Sequence, residues 1–81
     1  MATHKPDIGI GIRAAEELHR VFPNLTEVRI VQKLGLERKS FWCWRNGGAP
    51  SCFALQGMRF AGCDIDYILT GRRMNEDEED N

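Results

Sequence analysis

Much of what a catalytic or membrane-embedded chain needs is missing from this sequence. It has no run of about eighteen apolar residues, so no helix is expected to span a bilayer. The opening stretch MATHKPDIGIGIR has no long apolar core and no A-x-A-like cleavage site, so no signal peptide is read there. There are three cysteines, Cys43, Cys52 and Cys63, and no C-x-x-C. An odd count at such spacings argues against a secreted disulfide framework. Cys52 and Cys63 are expected to act as small apolar side chains in a reducing cytoplasm. Two scattered histidines, His4 and His19, do not make a zinc site. No glycine-rich phosphate loop, no nucleophile–base pair and no pocketed carboxylate pair occurs. The expectation is therefore a non-enzyme with no metal, no cofactor and no small-molecule ligand.

The sequence does have enough for one small domain. Its 81 residues are 42% hydrophobic, enough for a single core whose stability is marginal or shared with a partner subunit. The net charge of −1 conceals an asymmetry. Residues 75–81, NEDEEDN, hold five acids, Glu76, Asp77, Glu78, Glu79 and Asp80. Residues 1–75 set eleven Lys and Arg against seven acids, a surplus of four positive charges. The expected layout is a domain over 1–74 and a disordered acidic tail over 75–81. The tail serves either as a solubilising end or as an electrostatic competitor for whatever the basic body binds.

Breaks at Pro23-Asn24, Gly35, Gly47-Gly48-Ala49-Pro50, Gly62 and Gly71 divide the chain into short segments of helical periodicity. The first, 8–22, places Ile8, Ile12, Ala15, Leu18, Val21 and Phe22 on an inward stripe. Asp7 is its cap, Gly9 and Gly11 weaken its first turn, and Pro23 ends it. Glu16 and Glu17 with Arg13 and Arg20 read as a salt-bridged solvent face. The second, 25–36, is capped by Thr26, turns Ile30, Val31 and Leu34 inward, and stops at a left-handed Gly35. The third, 37–46, buries Phe41 and Trp44, with Leu36 anchoring its start. Trp42 and Trp44 are two positions apart, about 200° around a helix, so they cannot share one buried stripe. The fourth, 50–62, starts at Ser51 and turns Phe53 or Ala54, Leu55, Met58 and Ala61 inward. Asp64 caps the fifth, in which Ile65, Ile68 and Leu69 dock and Gly71 stops the chain. The predicted class is all-α, a compact five-helix domain.

Two short helices joined by a tight glycine-containing turn form a helix-turn-helix. In its DNA-binding form the second helix enters the major groove and its first turn reaches base edges. Arg38 and Lys39 stand at that turn, and both can donate to guanine O6 and N7. The sequence also resembles the lambda-repressor-like, Cro/CI-type family of phage and bacterial transcriptional repressors, and most nearly the phage CI repressor DNA-binding domain. The marks are T-x-x-x-I-V-x-K-L-G-L at 26–36, W-x-N-G at 44–47, Pro50 after the third helix, and D-I-D-Y-I-L-T-G at 64–71. The likeness covers residues 8–73.

The resemblance implies base contacts at Glu37, Arg38, Lys39 and Cys43, with Ser40 and Trp42 near backbone or base edges. It puts Glu27 and Asn46 at phosphate positions. Arg29 and Lys33, outward on the second helix, fit phosphate contact or plain solvation. Thr26 and Arg45 complete the expected backbone set. Three positions depart from the family. Glu27 replaces a usual glutamine and would repel phosphate. Arg45 replaces a common acid, so an internal ion pair of relatives is expected to be absent. Trp42 and Cys43 replace small or polar readers, and Cys43 beside cations is also a candidate redox thiol.

Together these imply a cytoplasmic, nucleoid-associated regulator, a phage or prophage repressor binding a palindromic double-stranded DNA operator as a homodimer. Tyr67 on the last helix and the surroundings of Trp42 are the expected dimer surfaces. No second domain is read after residue 73, so cooperativity or induction by cleavage would come from elsewhere. The alternative is a helix-turn-helix protein-interaction module, an antitoxin or antirepressor that binds a protein through its Trp42 face. Glu27, Trp42, Cys43 and the acidic tail favour it.

Overall fold

The computed structural model describes residues 9–73. Five helices follow one another there: α1 Gly9–Val21, α2 Glu27–Leu34, α3 Ser40–Arg45, α4 Cys52–Ala61 and α5 Ile65–Thr70. No strand occurs among the described residues, so the domain is all-α. Asp7 and Ile8 and the acidic tail at 75–81 lie outside those residues.

Local chemistry sets most of the boundaries. Thr26, Ser51 and Asp64 are extended at their helix starts, and their side chains accept from the backbone N–H of Arg29, Ala54 and Tyr67. Gly35 ends α2 at φ 67°, and the Leu36 N–H closes the turn onto the Val31 carbonyl at 2.9 Å. The left-handed residue turns the chain sharply enough for α3 to follow within a few residues.

The core gathers Ala14, Ala15, Leu18, Ile30, Phe41, Trp44, Met58, Cys63 and Ile68, with Leu36 packed on its edge. Each fully buried large side chain, such as Leu18, Ile30 or Met58, contributes about 1.5–3 kcal/mol relative to exposure. Phe41 and Trp44 are each 4% exposed with ring centroids 5.5 Å apart, so the i, i+3 reading of α3 holds. They seat α3 against α1.

Three expectations about the interior, for Ile12, Leu69 and Cys52, are corrected, and the choice between Phe53 and Ala54 is decided. In α1 the inward stripe runs through Gly11, Ala14, Ala15 and Leu18, while Ile12 is half-exposed. The stripe is rotated because Gly11 lies against the backbone of Trp44 and Gly48, a contact only a residue without a side chain permits. Leu69 is 44% exposed, since the short α5 buries Ile68 and turns Leu69 away. Phe53 points outward and Ala54 is the inward partner of the pair. Cys52 is exposed beside the Ser51 cap, whereas Cys63 is buried. Burial, reinforced by the nearby Glu17 carboxylate and opposed by Arg20, pushes the Cys63 thiol up to about 11. Iodoacetamide at neutral pH is therefore expected to label Cys43 and Cys52 and to spare Cys63 in the folded chain. Rapid third-site labelling under native conditions, read by mass spectrometry, would contradict this packing.

The largest correction concerns charge. Glu17 is not on a solvent face but 1% exposed. Its carboxylate accepts from Arg20 at 2.8 and 3.0 Å, from Arg73 at 2.7 Å and from the Asp64 backbone N–H at 2.8 Å. Arg20 also donates to the Gly62 carbonyl, and Arg73 to Asp64 Oδ2. Arg13 uses its Nε on the Tyr67 and Ile68 carbonyls at the end of α5. Arg73 is thus folded onto the body, held by Glu17 and Asp64 and lying 4.0 Å from the Tyr67 ring centre.

Candidate nucleic-acid interface

The structure shortens α3. It begins at Ser40, with Lys39 as an N-cap that makes no side-chain capping bond. Glu37, Arg38 and Lys39 therefore form the turn before the helix rather than its first turn, closed by the Ser40 N–H on the Glu37 carbonyl at 3.0 Å. None of residues 36–39 is a Ser, Thr, Asp or Asn that could cap an earlier start, and cations at the positive helix end disfavour extension.

The six expected base-contacting positions do not all gather on one side. Glu37, Lys39, Ser40 and Cys43 line a single groove of about 600 Å³ with Ser51 and Phe53 across it. Arg38 lines a second groove of about 660 Å³ whose floor is Val28, Val31, Leu36 and Phe41. The turn thus splays its two cations to either side of the start of α3. Trp42 is 65% exposed, while Trp44 holds the helix in the core. The two-apart tryptophans therefore divide as helical geometry requires.

The backbone set is divided as well. The Thr26 hydroxyl oxygen accepts from the Arg29 N–H in capping α2, which leaves its proton to donate. Glu27 is clasped by Arg45: Nη1 donates to Oε1 at 3.0 Å and Nη2 to Oε2. His19 Nε2 meets the same Oε2 at 2.7 Å. The Arg45 bond is the main reason the Glu27 carboxyl is held down at about 2; burial opposes it and the His19 contact assists. Arg45 also lies 5.4 Å from the Phe41 ring centre. Arg45 thus makes an internal ion pair with Glu27, a pairing not expected from the sequence. Glu27 and Arg45 bridge α2 and α3, and the repulsion expected from Glu27 is offset by its own partners. Asn46 donates its side-chain amide to the Trp42 carbonyl at 2.7 Å, finishing α3, with its second amide proton still available.

Arg29, Arg38 and Lys39 are exposed and make no side-chain hydrogen bond or ion pair with another described residue, and Lys33 only stacks 5.9 Å from the Phe22 ring centre. The body's acids Glu17, Glu27 and Asp64, by contrast, are engaged by Arg20, Arg45 and Arg73. Exposed cations without acidic partners therefore stand around the α2–α3 turn, beside the exposed Glu37. His19 and Phe53 belong to this region although neither was picked out from the sequence. His19 comes from α1 through tertiary packing, which no local pattern signals. Phe53 was left as one of two inward choices, and one more turn of the α4 helical wheel would have set it opposite Met58.

No helix among the described residues is long and apolar enough to cross a membrane. Comparison of the chain with known protein families, with characterised proteins and with solved structures returned no match.

Proposed function

We propose that this chain is a sequence-specific double-stranded-DNA-binding transcriptional regulator of the lambda-repressor-like type, a phage or prophage repressor acting on bacterial DNA in the cytoplasm. The observation that carries this reading is the set of exposed cations Arg29, Lys33, Arg38 and Lys39 around the α2–α3 turn, left without acidic partners while Glu27 is neutralised by Arg45. Lys39, Ser40 and Cys43 reach base edges from one side of the turn and Arg38 from the other. Arg29 and Lys33 meet phosphate, and Arg45 with Glu27 fixes the angle of α3 against α2. The domain presents too little surface for tight selective binding by itself, so a two-fold pair reads a palindromic operator.

The reading is tested by selecting bound sites from random double-stranded DNA at two salt concentrations. The expected product is a palindrome whose half-sites are about one helical turn apart, with affinity falling steeply as salt rises. On that site Arg38→Ala is expected to cost about 1–3 kcal/mol and to relax preference at one base pair. Arg29→Gln should weaken all sequences equally and lower the salt slope by about 1 per subunit. An Arg38→Ala variant with unchanged affinity and preference would remove Arg38 from the readout.

Trp42 supports a second reading. At 65% exposed it leaves a large ring in solvent, as a protein-binding anchor does. A helix-turn-helix module that docks a protein through Trp42 would recover no DNA site. Its binding would change little with salt and would be lost in Trp42→Ala.

A further inference from the structure

The groove beside α3 has one wall that α3 and its turn do not supply. Glu37, Lys39, Ser40 and Cys43 form one side, and Phe53, the second residue of α4, stands across from them at 86% exposed. No other exposed large apolar side chain lines this groove: Val28 belongs to the groove of Arg38, and Ile12, Trp42, Phe60 and Leu69 border neither. The remaining rings are engaged elsewhere. Phe41 and Trp44 are core, and Phe22 carries Lys33. Tyr67, expected at a dimer surface, is half-buried, with its hydroxyl donating to Glu16 at 2.6 Å and its ring under Arg73. The backbone that carries Phe53 is fixed from both sides: the Ser51 hydroxyl accepts from the Ala54 N–H at 3.1 Å, and Ala54 packs on the core.

Charge in the groove selects which part of a duplex it can take. Lys39 is offset by Glu37 on the same wall, and no other lining residue is charged, so the groove is neutral overall and its acid repels phosphate. Arg29 and Lys33, the cations suited to phosphate, lie outside it. The groove therefore fits a base edge. Lys39 can donate to guanine, Glu37 can accept from the cytosine amine and Ser40 can do either. Phe53 can do neither. Set against a polar base edge, its ring would strip water from a donor or acceptor without replacing the hydrogen bond. The major groove offers one apolar group that a phenyl ring suits, the C5-methyl of thymine.

We propose that Phe53, on α4 and outside the helix-turn-helix, is a specificity-determining residue that seats a thymine methyl group. The methyl lies between the Phe53 ring and the Cys43 thiol, next to the base met by Lys39. The inference rests on the DNA-binding reading and adds to it a preference for thymine over the same pyrimidine without its methyl. The ring has only two side-chain torsions to fix, so it makes this contact at low entropic cost.

The test takes the full chain and the site selected from random duplex DNA, and replaces each thymine in turn by deoxyuridine. That exchange removes the methyl and keeps every hydrogen-bonding group of the base. One thymine in each half-site is expected to show about a fourfold loss of affinity, the equivalent of one methyl group returned to water. Phe53→Ala should bind the thymine and deoxyuridine forms alike, whereas Phe53→Leu, still apolar, should keep the preference. Phe60→Ala, 80% exposed on the same helix but outside the groove, should match the wild type. Both positions are exposed, so circular dichroism should find all three variants folded. A wild type indifferent to deoxyuridine at every thymine, or a selected site with no preferred thymine, overturns the proposal and leaves the DNA-binding reading standing. A Phe53→Ala variant that weakens both forms equally and keeps the preference places the ring against sugar instead, and also overturns it. A pool that returns no site removes the DNA-binding reading, and the thymine seat with it.

Discussion

Gly11→Ala is expected to lower the melting temperature by about 10–20 °C, a loss of roughly 2–3 kcal/mol in a domain of this size. Local propensity predicts the opposite sign, because alanine is favoured over glycine inside a helix by about 1 kcal/mol. Packing decides. The added Cβ would fall on the carbonyl oxygens of Gly48 and Trp44 and 2.7 Å from the Trp44 Cα. All three are backbone atoms, so no rotamer change relieves the clash. α1 must move off α3, and Trp44 and Phe41 lose close packing with it. A larger residue, as in Gly11→Val, should leave little folded protein. The check is a thermal melt by circular dichroism. A melting temperature at or above the wild-type value would mean that α1 and α3 do not approach this closely.

Glu17→Ala comes next in size, with an expected loss of about 2–4 kcal/mol. It strands the Asp64 backbone N–H and leaves Arg20 and Arg73 without their shared acceptor. The guanidinium groups keep contact with water, at 51% and 33% exposed, which holds the cost below that of a fully buried broken pair. The pH dependence separates charge from shape. Burial pushes the Glu17 carboxyl up, but the hydrogen bonds from Arg20, Arg73 and Asp64 together hold it down at about 2, below its ordinary 4.5. A carboxyl depressed on folding contributes its full stabilisation above the unfolded value and loses it as pH falls through the folded one. The contribution is on the order of 3 kcal/mol, present above about pH 5 and gone near pH 2. Glu17→Gln lacks it throughout, so the stability gap between wild type and Glu17→Gln should narrow steadily as the pH is lowered over that window. Taking the difference cancels Glu27, which is depressed in both proteins. A gap independent of pH would show that Glu17 acts through packing alone.

Much of the chain was legible in the sequence, for local reasons. Thr26, Ser51, Asp64 and the glycines at 35, 62 and 71 act on backbone groups within a few residues of themselves, so their capping roles follow from sequence order. The 3.6-residue period separated Trp44 from Trp42 and picked Phe41, Ile30, Met58 and Ile68 for the core. Composition gave the basic body and the helix spacing gave five helices, although it put Arg38 and Lys39 in the first turn of α3 and not in the turn before it.

Tertiary structure alone decided what depends on a second segment. Gly11 reads as a weak point of α1 until α3 is laid across it. Glu17 reads as surface until Arg73, 56 residues away, folds back onto it. Arg45 reads as a lost ion pair until α2 brings Glu27 within reach. Sequence by itself determined the helices, their caps and the surplus charge, because each is set within one or two turns of chain. The interhelical approach, the choice of buried charge and the cations left unpaired came from packing, because each is a contact between segments whose separation in sequence carries no record of their separation in space.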